Sequence, residues 1–242
     1  MKKFIYSFSI ILLLSALAPA EAENLDPFFE QTDAFLKKYV KDGRVAYKEI
    51  NSNFSGIESL YKTINAADLS SASDLEKKAF YINAYNLIVI YQVSKYYPLK
   101  SALDQSGFFD KVKHTVAGES MTLNALEIKK LILTYKDPRI HFTLACAAVS
   151  CPPLASFGYD PKQLDRQLQE RTTLALNDPE WLKIRTDQNK VYLSKIFDWY
   201  KKDFTMSGES SVLDFINKYR TKKIPGTFKV DYYEYNWSLN ES

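Results

Sequence analysis

Ser73-Asp74-Leu75-Glu76, followed by Ala79-Phe80-Tyr81-Ile82-Asn83-Ala84-Tyr85-Asn86-Leu87-Ile88-Val89-Ile90, decides how this chain folds. Ser73 with Glu76 three residues later spells a capping box, in which a hydroxyl and a carboxylate satisfy backbone N–H groups at a helix start. The helix predicted behind it runs to about Tyr97 and stops there, because Pro98 disfavours the α conformation for the residue before it. Its middle is apolar nearly all the way round, which is the pattern of a helix buried on most sides. Residues 74–97 are therefore expected to form the centre of the domain. Asn83 and Asn86 sit three apart on that helix, on the same side. Without partners in an apolar interior, each would cost on the order of 1–3 kcal/mol. Either they hold loops over the helix, or they face a pocket and orient a substrate or an imidazole.

Working outward, residues 26–40 have helical spacing, with Phe28, Phe29, Phe35, Leu36 and Val40 on one broad face. Asp42-Gly43 makes a turn, Val45-Ala46-Tyr47 a short strand, and residues 52–66 a looser amphipathic helix. Residues 112–123 read as a hairpin around Ala117-Gly118-Glu119. Asn124 then caps a helix ending near Tyr135, with Glu127 where a carboxylate can reach back to the cap. Ile140 to Ala147 is apolar on both faces and reads as a central strand. Residues 161–176 form another helix, 190–196 a strand, and 197–204 and 212–219 helical turns, while 228–239 is aromatic and extended. The predicted architecture is α+β: a helix-rich single domain whose central buried helix packs on a small β-sheet that includes 139–147 and 190–196.

The first residues read as an export signal. Lys2 and Lys3 precede an apolar run from Ile5 to Leu17, and Ala20-Glu21-Ala22 supplies a small-x-small cleavage site. The run is short for a membrane span, which needs roughly 20 residues. Residues 1–22 are thus expected to be a signal peptide, and residues 23–242 a single globular domain without a transmembrane segment, periplasmic or secreted. The formal net charge is +3, and losing the two lysines and one glutamate of residues 1–22 leaves +2. So even a balance argues against nucleic acid as a partner. An unidentified small molecule or peptide is the expected ligand.

Both cysteines and one of the two histidines fall between Arg139 and Cys151, just before Pro152-Pro153. In a strand, His141 and Cys146 would point to opposite faces, whereas Cys151, in the loop beyond, can turn back toward His141. That gives a candidate thiol site: Cys151 attacks, His141 takes its proton, and Asn83 or Asn86 orients the imidazole or binds the oxyanion. Ser150, His114 and Glu127 complete the candidates as substrate-binding residues, although a histidine beside Lys111 and Lys113 is by default solvated. The blander reading makes His141 a core histidine and joins Cys146 to Cys151. In an extended chain their Cα atoms would stand about 17 Å apart, so a disulfide needs a tight turn through 147–150. Such a small loop adds only about 2 kcal/mol. No H-x3-H or CxxC spacing supports a metal site. Seven glycines leave little room for a phosphate-binding loop, so no cofactor is expected.

Phe80-Tyr81-Ile82-Asn83-Ala84-Tyr85-Asn86, Asp137-Pro138-Arg139-Ile140-His141-Phe142, Ser150-Cys151-Pro152-Pro153-Leu154 and Tyr235-Asn236-Trp237-Ser238-Leu239-Asn240 together resemble the family called domain of unknown function 547. The likeness spans roughly residues 75–205, with the last motif as a family-like ending. Leu123-Asn124 with Glu127, and Ser194-x-Ile196-Phe197-x-Trp199-Tyr200-x-x-Asp203-Phe204, fit the same pattern. What this resemblance implies about activity is little. A buried helix followed by His-bearing strands is also similar in architecture to papain-like and transglutaminase-like folds. In those folds the nucleophilic cysteine begins the central helix, whereas here that helix carries Asn83 and Asn86 and no cysteine. Two functions from different classes stand: a thiol-dependent hydrolase or acyl transferase, and a non-catalytic cell-envelope binding module with a local disulfide. The state of the thiols separates them.

Overall fold

Helix α4 (Asp74–Tyr96) begins where the capping box places it. Ser73 Oγ accepts from the Glu76 N–H at 3.3 Å, and the Ser73 N–H donates to Glu76 Oε2 at 2.8 Å. Tyr97 leaves the helix with ψ 138°, as a residue before proline must. Ala79, Phe80, Ile82, Asn83, Ala84 and Ile88 have no exposed surface, so the all-round apolar pattern reflects all-round burial. The structure, a computed structural model, describes residues 24–206 and 208–242. The expected signal peptide, residues 1–22, lies outside the described residues.

Helices form most of the packing around α4. Helix α1 (Asp26–Tyr39), α2 (Tyr47–Ser52) and α3 (Ser55–Ala66) lie against it. So does the run that starts at α5 (Leu123–Ala125), passes through a π-helical stretch, Leu126–Ile132, and ends in α6 (Leu133–Tyr135). Thr122, not Asn124, caps this run, its hydroxyl accepting from the Ala125 N–H at 3.2 Å. Glu127 therefore does not reach back to an Asn124 cap. It turns inward from the π stretch instead, a helix form that recurs at functional sites.

The sheets are small and separate. Strands β1 (Val40–Lys41) and β2 (Arg44–Val45) pair, as do β3 (Lys113–Val116) and β4 (Glu119–Thr122). The second hairpin turns at Ala117 and Gly118, with φ of 48° and 77°. Two successive positive φ values match the right-handed twist of a tight hairpin, and glycine takes one of them without strain. Strands β5 (Lys183–Arg185), β6 (Lys190–Leu193) and β7 (Lys229–Tyr232) form the third sheet, β6 antiparallel to β5 and parallel to β7. Helices α7 (Leu164–Asn177), α8 (Ile196–Trp199) and α9 (Val212–Lys218) complete an α+β domain.

The strand expected over 140–147 does not form. Pro138–Phe142 is a 3-10 turn, with proline at its start and the Asp137 carboxylate accepting from the Arg139 N–H at 3.1 Å. Thr143 Oγ1 closes the turn by donating to the Ile140 carbonyl at 2.7 Å. The run is apolar because it lies between two hydrophobic cores. Ile140, Leu144 and Ala145 join the core around α4, while Phe142, Ala148 and Cys151 join a second core with Trp181, Phe197, Phe204 and Phe215. Apolar on both faces is the common signature of a central strand and of a chain shared by two cores, and periodicity does not separate them.

The C-terminal segment clamps this region. Val149 N–H donates to the Ser238 carbonyl, Asn240 N–H to the Ala147 carbonyl, and Val45 N–H to the Asn240 carbonyl. The Asn240 side chain accepts from the buried Tyr47 hydroxyl at 2.9 Å. The last residues thus fasten the cysteine loop to the first hairpin, and this brings Tyr235 and Trp237 beside the cysteines.

Candidate functional site

A cavity of about 310 Å³ opens where α4, the π stretch, the 3-10 turn, the cysteine loop and the C-terminal segment meet. That is near the lower end of the range for small-molecule pockets. Each element contributes one chemical group. The π stretch supplies Glu127, the 3-10 turn His141, and the cysteine loop both sulfurs, while Tyr85, Tyr200 and Tyr235 add hydroxyls. Phe109, Trp199 and Trp237 line the remainder. Trp199 is half exposed, and the Tyr235 ring lies 4.9 Å from it and 4.7 Å from Trp237, so an aromatic cluster borders the cavity.

His141 Nε2 lies 2.9 Å from Asp203 Oδ2. A carboxylate can only accept, so this bond assigns the proton to Nε2 and leaves the lone pair of a neutral ring on Nδ1. The ring packs 4.3 Å from Tyr200 and 5.2 Å from Phe204, which fixes its plane. Burial holds the Glu127 carboxyl above the usual carboxylate range, against the opposing pull of His141 and of hydrogen bonds from Tyr200 and Tyr85. Burial also keeps Tyr85, Tyr200 and Tyr235 protonated, hence hydrogen-bond donors. A carboxyl pushed up beside an imidazole tied to a second carboxylate is an arrangement that can give and take protons.

Cys146 and Cys151 form a disulfide with a Cα–Cα distance of 6.1 Å, bridged by a turn in which Ala147 takes a positive φ. No Cys151–His141 pair is formed: Cys151 is bonded to Cys146, and His141 Nε2 is engaged by Asp203. The expectation that His141 and Cys146 point apart fails with the strand that carried it, since both line the same cavity.

The other candidates are scattered. Asn83 Nδ2 donates to the Tyr159 carbonyl at 2.8 Å, and its Oδ1 accepts from the Tyr159 N–H at 2.8 Å. Asn86 likewise takes the Thr143 carbonyl at 2.8 Å and the Ala145 N–H at 2.9 Å. Both carboxamides are spent on loop backbone, which leaves them no reach to an imidazole or an oxyanion. Asn86 instead shapes the segment between His141 and Cys146. Ser150 serves the clamp, with its hydroxyl accepting from the Asn236 N–H and its carbonyl from Trp181 Nε1. His114 is not solvated. It is buried on β3 between the Tyr61 hydroxyl and Gln92 Oε1, at 3.0 and 2.6 Å. Neither Ser150 nor His114 is among the residues that line this cavity. Among the described residues, no group of three or more His, Cys, Asp and Glu is placed to hold a metal ion.

Reasoning from sequence missed Asp203 and the tyrosines as site groups. The signal lay in the Trp199-Tyr200-x-x-Asp203 and Tyr235-Asn236-Trp237 motifs, which no local spacing connects to His141.

Comparison with curated proteins finds no match, and comparison with solved structures finds none either, so the likeness to papain-like folds gains no support from them. Glu127, His141 and both cysteines lie inside the segment that a family model does match, whereas Asp203, Tyr200 and Tyr235 lie beyond it. Residues 69–174 match the family described as Protein of unknown function, DUF547.

Proposed function

We propose that this is an exported enzyme whose cavity binds a small, partly apolar molecule and transfers protons on it, with His141 as base and Glu127 as acid. One observation carries the reading: the Asp203-tethered imidazole and the raised Glu127 carboxyl line one aromatic-walled cavity. Asp203 fixes the tautomer, leaving Nδ1 to accept a proton, while Glu127, kept protonated more readily than an ordinary carboxyl, can donate one. Tyr85, Tyr200 and Tyr235 offer hydroxyls to a developing oxyanion. Cleavage of a signal after Ala22 and a periplasmic or secreted location accord with the disulfide, which persists in oxidising compartments. Thiol-dependent hydrolysis or acyl transfer through Cys151 would be open only to the reduced chain.

The rival is a non-catalytic envelope binding module, and the observation favouring it is the disulfide itself. Wild-type protein and His141→Gln, both verified as folded, should be incubated with a panel of amides, esters and glycosides and followed by mass spectrometry. The enzyme reading expects conversion by the wild type and its loss in the variant. A molecule that saturates the cavity and is recovered unchanged from the wild type would establish the module.

A further inference from the structure

We infer that the Cys146–Cys151 disulfide is a reactive centre that exchanges with small thiols entering the cavity, with Cys146 carrying the mixed disulfide and Cys151 leaving. The inference does not depend on proton transfer by His141 or Glu127.

Three observations carry it. Both sulfurs line the cavity, and they differ in access: Cys151 is 4% exposed, whereas Cys146 is partly open. They also differ in hydrogen bonding. The Tyr235 hydroxyl lies 3.0 Å from Cys146 Sγ and 3.2 Å from Cys151 Sγ, so its proton is shared, but the Cys146 N–H points at Cys151 Sγ alone, at 2.8 Å. A sulfur that gathers two donors is the better home for a negative charge, and a stabilised thiolate leaves faster. Finally, the loop keeps its shape without the bond. Ala145 N–H is held by Asn86, Ser150 N–H by the Asn236 carbonyl, and the Ala147 carbonyl by the Asn240 N–H. Against that network, closing a loop this small adds little. A staple so nearly redundant, set in the wall of a pocket, can open and re-form without unfolding the site.

The exchange balances as one disulfide replacing another. The incoming thiol loses its proton to the buffer and attacks Cys146 Sγ as the thiolate. A new S–S bond forms there as the Cys146–Cys151 bond breaks. The electron pair departs on Cys151 Sγ, where the Cys146 amide and the Tyr235 hydroxyl receive it. No separate oxidant or reductant is consumed.

The probe is 2-mercaptoethanol, added to native, oxidised protein at pH 8. After quenching and alkylation, peptide mapping should place the adduct on Cys146 and the alkyl group on Cys151, with circular dichroism unchanged. Tyr235→Phe removes one of the two donors and should slow the exchange about tenfold, the effect of roughly 1.4 kcal/mol of lost hydrogen bonding. An adduct confined to Cys151, or a bond cut no faster than in urea-unfolded chain, would overturn the inference. Should Tyr235→Phe not fold, Cys146→Ser leaves Cys151 as a thiol, with the amide and Tyr235 still present. Its alkylation rate should then titrate below the ordinary thiol midpoint of about 8.5, and a midpoint at or above that value would refute the assignment.

Discussion

Replacing Asn86 with leucine tests whether this carboxamide builds the site or works in it. Leucine keeps the bulk of the side chain but can neither donate to the Thr143 carbonyl nor accept from the Ala145 N–H, bonds of 2.8 and 2.9 Å. Thr143, Ala145 and Asn86 are each no more than 3% exposed, so water does not reach the two orphaned backbone groups without local opening. Each unsatisfied group costs about 1–3 kcal/mol, which puts Asn86→Leu at about 4 kcal/mol for the pair. For a domain of this size about 1 kcal/mol shifts Tm by roughly 2–4 °C, so a fall of about 8–16 °C is expected. Thermal and urea unfolding followed by circular dichroism would measure it. Asn86→Asp sharpens the test. Its carboxylate can still accept from Ala145 but faces the Thr143 carbonyl, whereas the protonated acid can donate there. Burial should raise its folded pKa, so the variant's stability relative to wild type should be highest below the unfolded pKa and decline as pH rises through the folded one. A loss below about 1 kcal/mol in Asn86→Leu would refute the structural role and return Asn86 to the pool of catalytic candidates.

Three further outcomes are expected. Burial, with Lys95 adding to it, lowers His114 from 6.5 to about 4, so the unfolded chain takes up the proton first; the stability this contributes is complete above 6.5 and declines by about 3 kcal/mol as pH falls to about 4. Urea unfolding at pH 7 and pH 4 should show that decline in the wild type and not in His114→Gln. Asp137 pairs with Lys78 Nζ at 2.7 Å and Arg139 Nη2 at 2.9 Å, and although burial pushes its carboxyl up, Arg139 and Lys78 together hold it below the usual range. Asp137→Ala leaves the buried Lys78 ammonium without a carboxylate, while Arg139 keeps Asp165 at 2.9 Å, and should cost about 3 kcal/mol in chemical denaturation; a neutral result would mean that the Lys78 ammonium finds water. Deleting residues 236–242 removes the clamp on Val149, Ser150 and Val45 and the partner of the buried Tyr47 hydroxyl, and should destabilise the chain by at least about 3 kcal/mol.

The candidate site was only partly legible. His141 and the two cysteines stand out by residue type in an apolar setting, and Glu127 by its place just behind Asn124, and all four line the cavity. Their relations were misread wherever the reading leaned on the 140–147 strand. That segment looked like a central strand because burial on both sides erases periodicity. Asp137 and Pro138, which start the 3-10 turn, were visible but carried less weight than the apolar run behind them. Glu127 was placed at a helix cap because cap geometry is read locally, and Thr122, two residues ahead of Asn124, took the cap instead.

By itself, the sequence determined what short-range physics controls. The capping box at Ser73, the stop before Pro98, the tight hairpin at Ala117-Gly118 and the all-round burial of α4 each depend on neighbours within a few residues, and each formed as read. Burial of Asn83 and Asn86 followed too, because an apolar helix leaves carboxamides no unpaired state. Only the tertiary structure decided which groups meet. His141 finds Asp203 across 62 residues, and Tyr235 reaches the disulfide across 84, because two hydrophobic cores close against the 138–151 segment and the C-terminal strap draws the last aromatic residues over it. Such contacts are fixed by the packing of whole cores, a collective balance of buried area that no local spacing encodes.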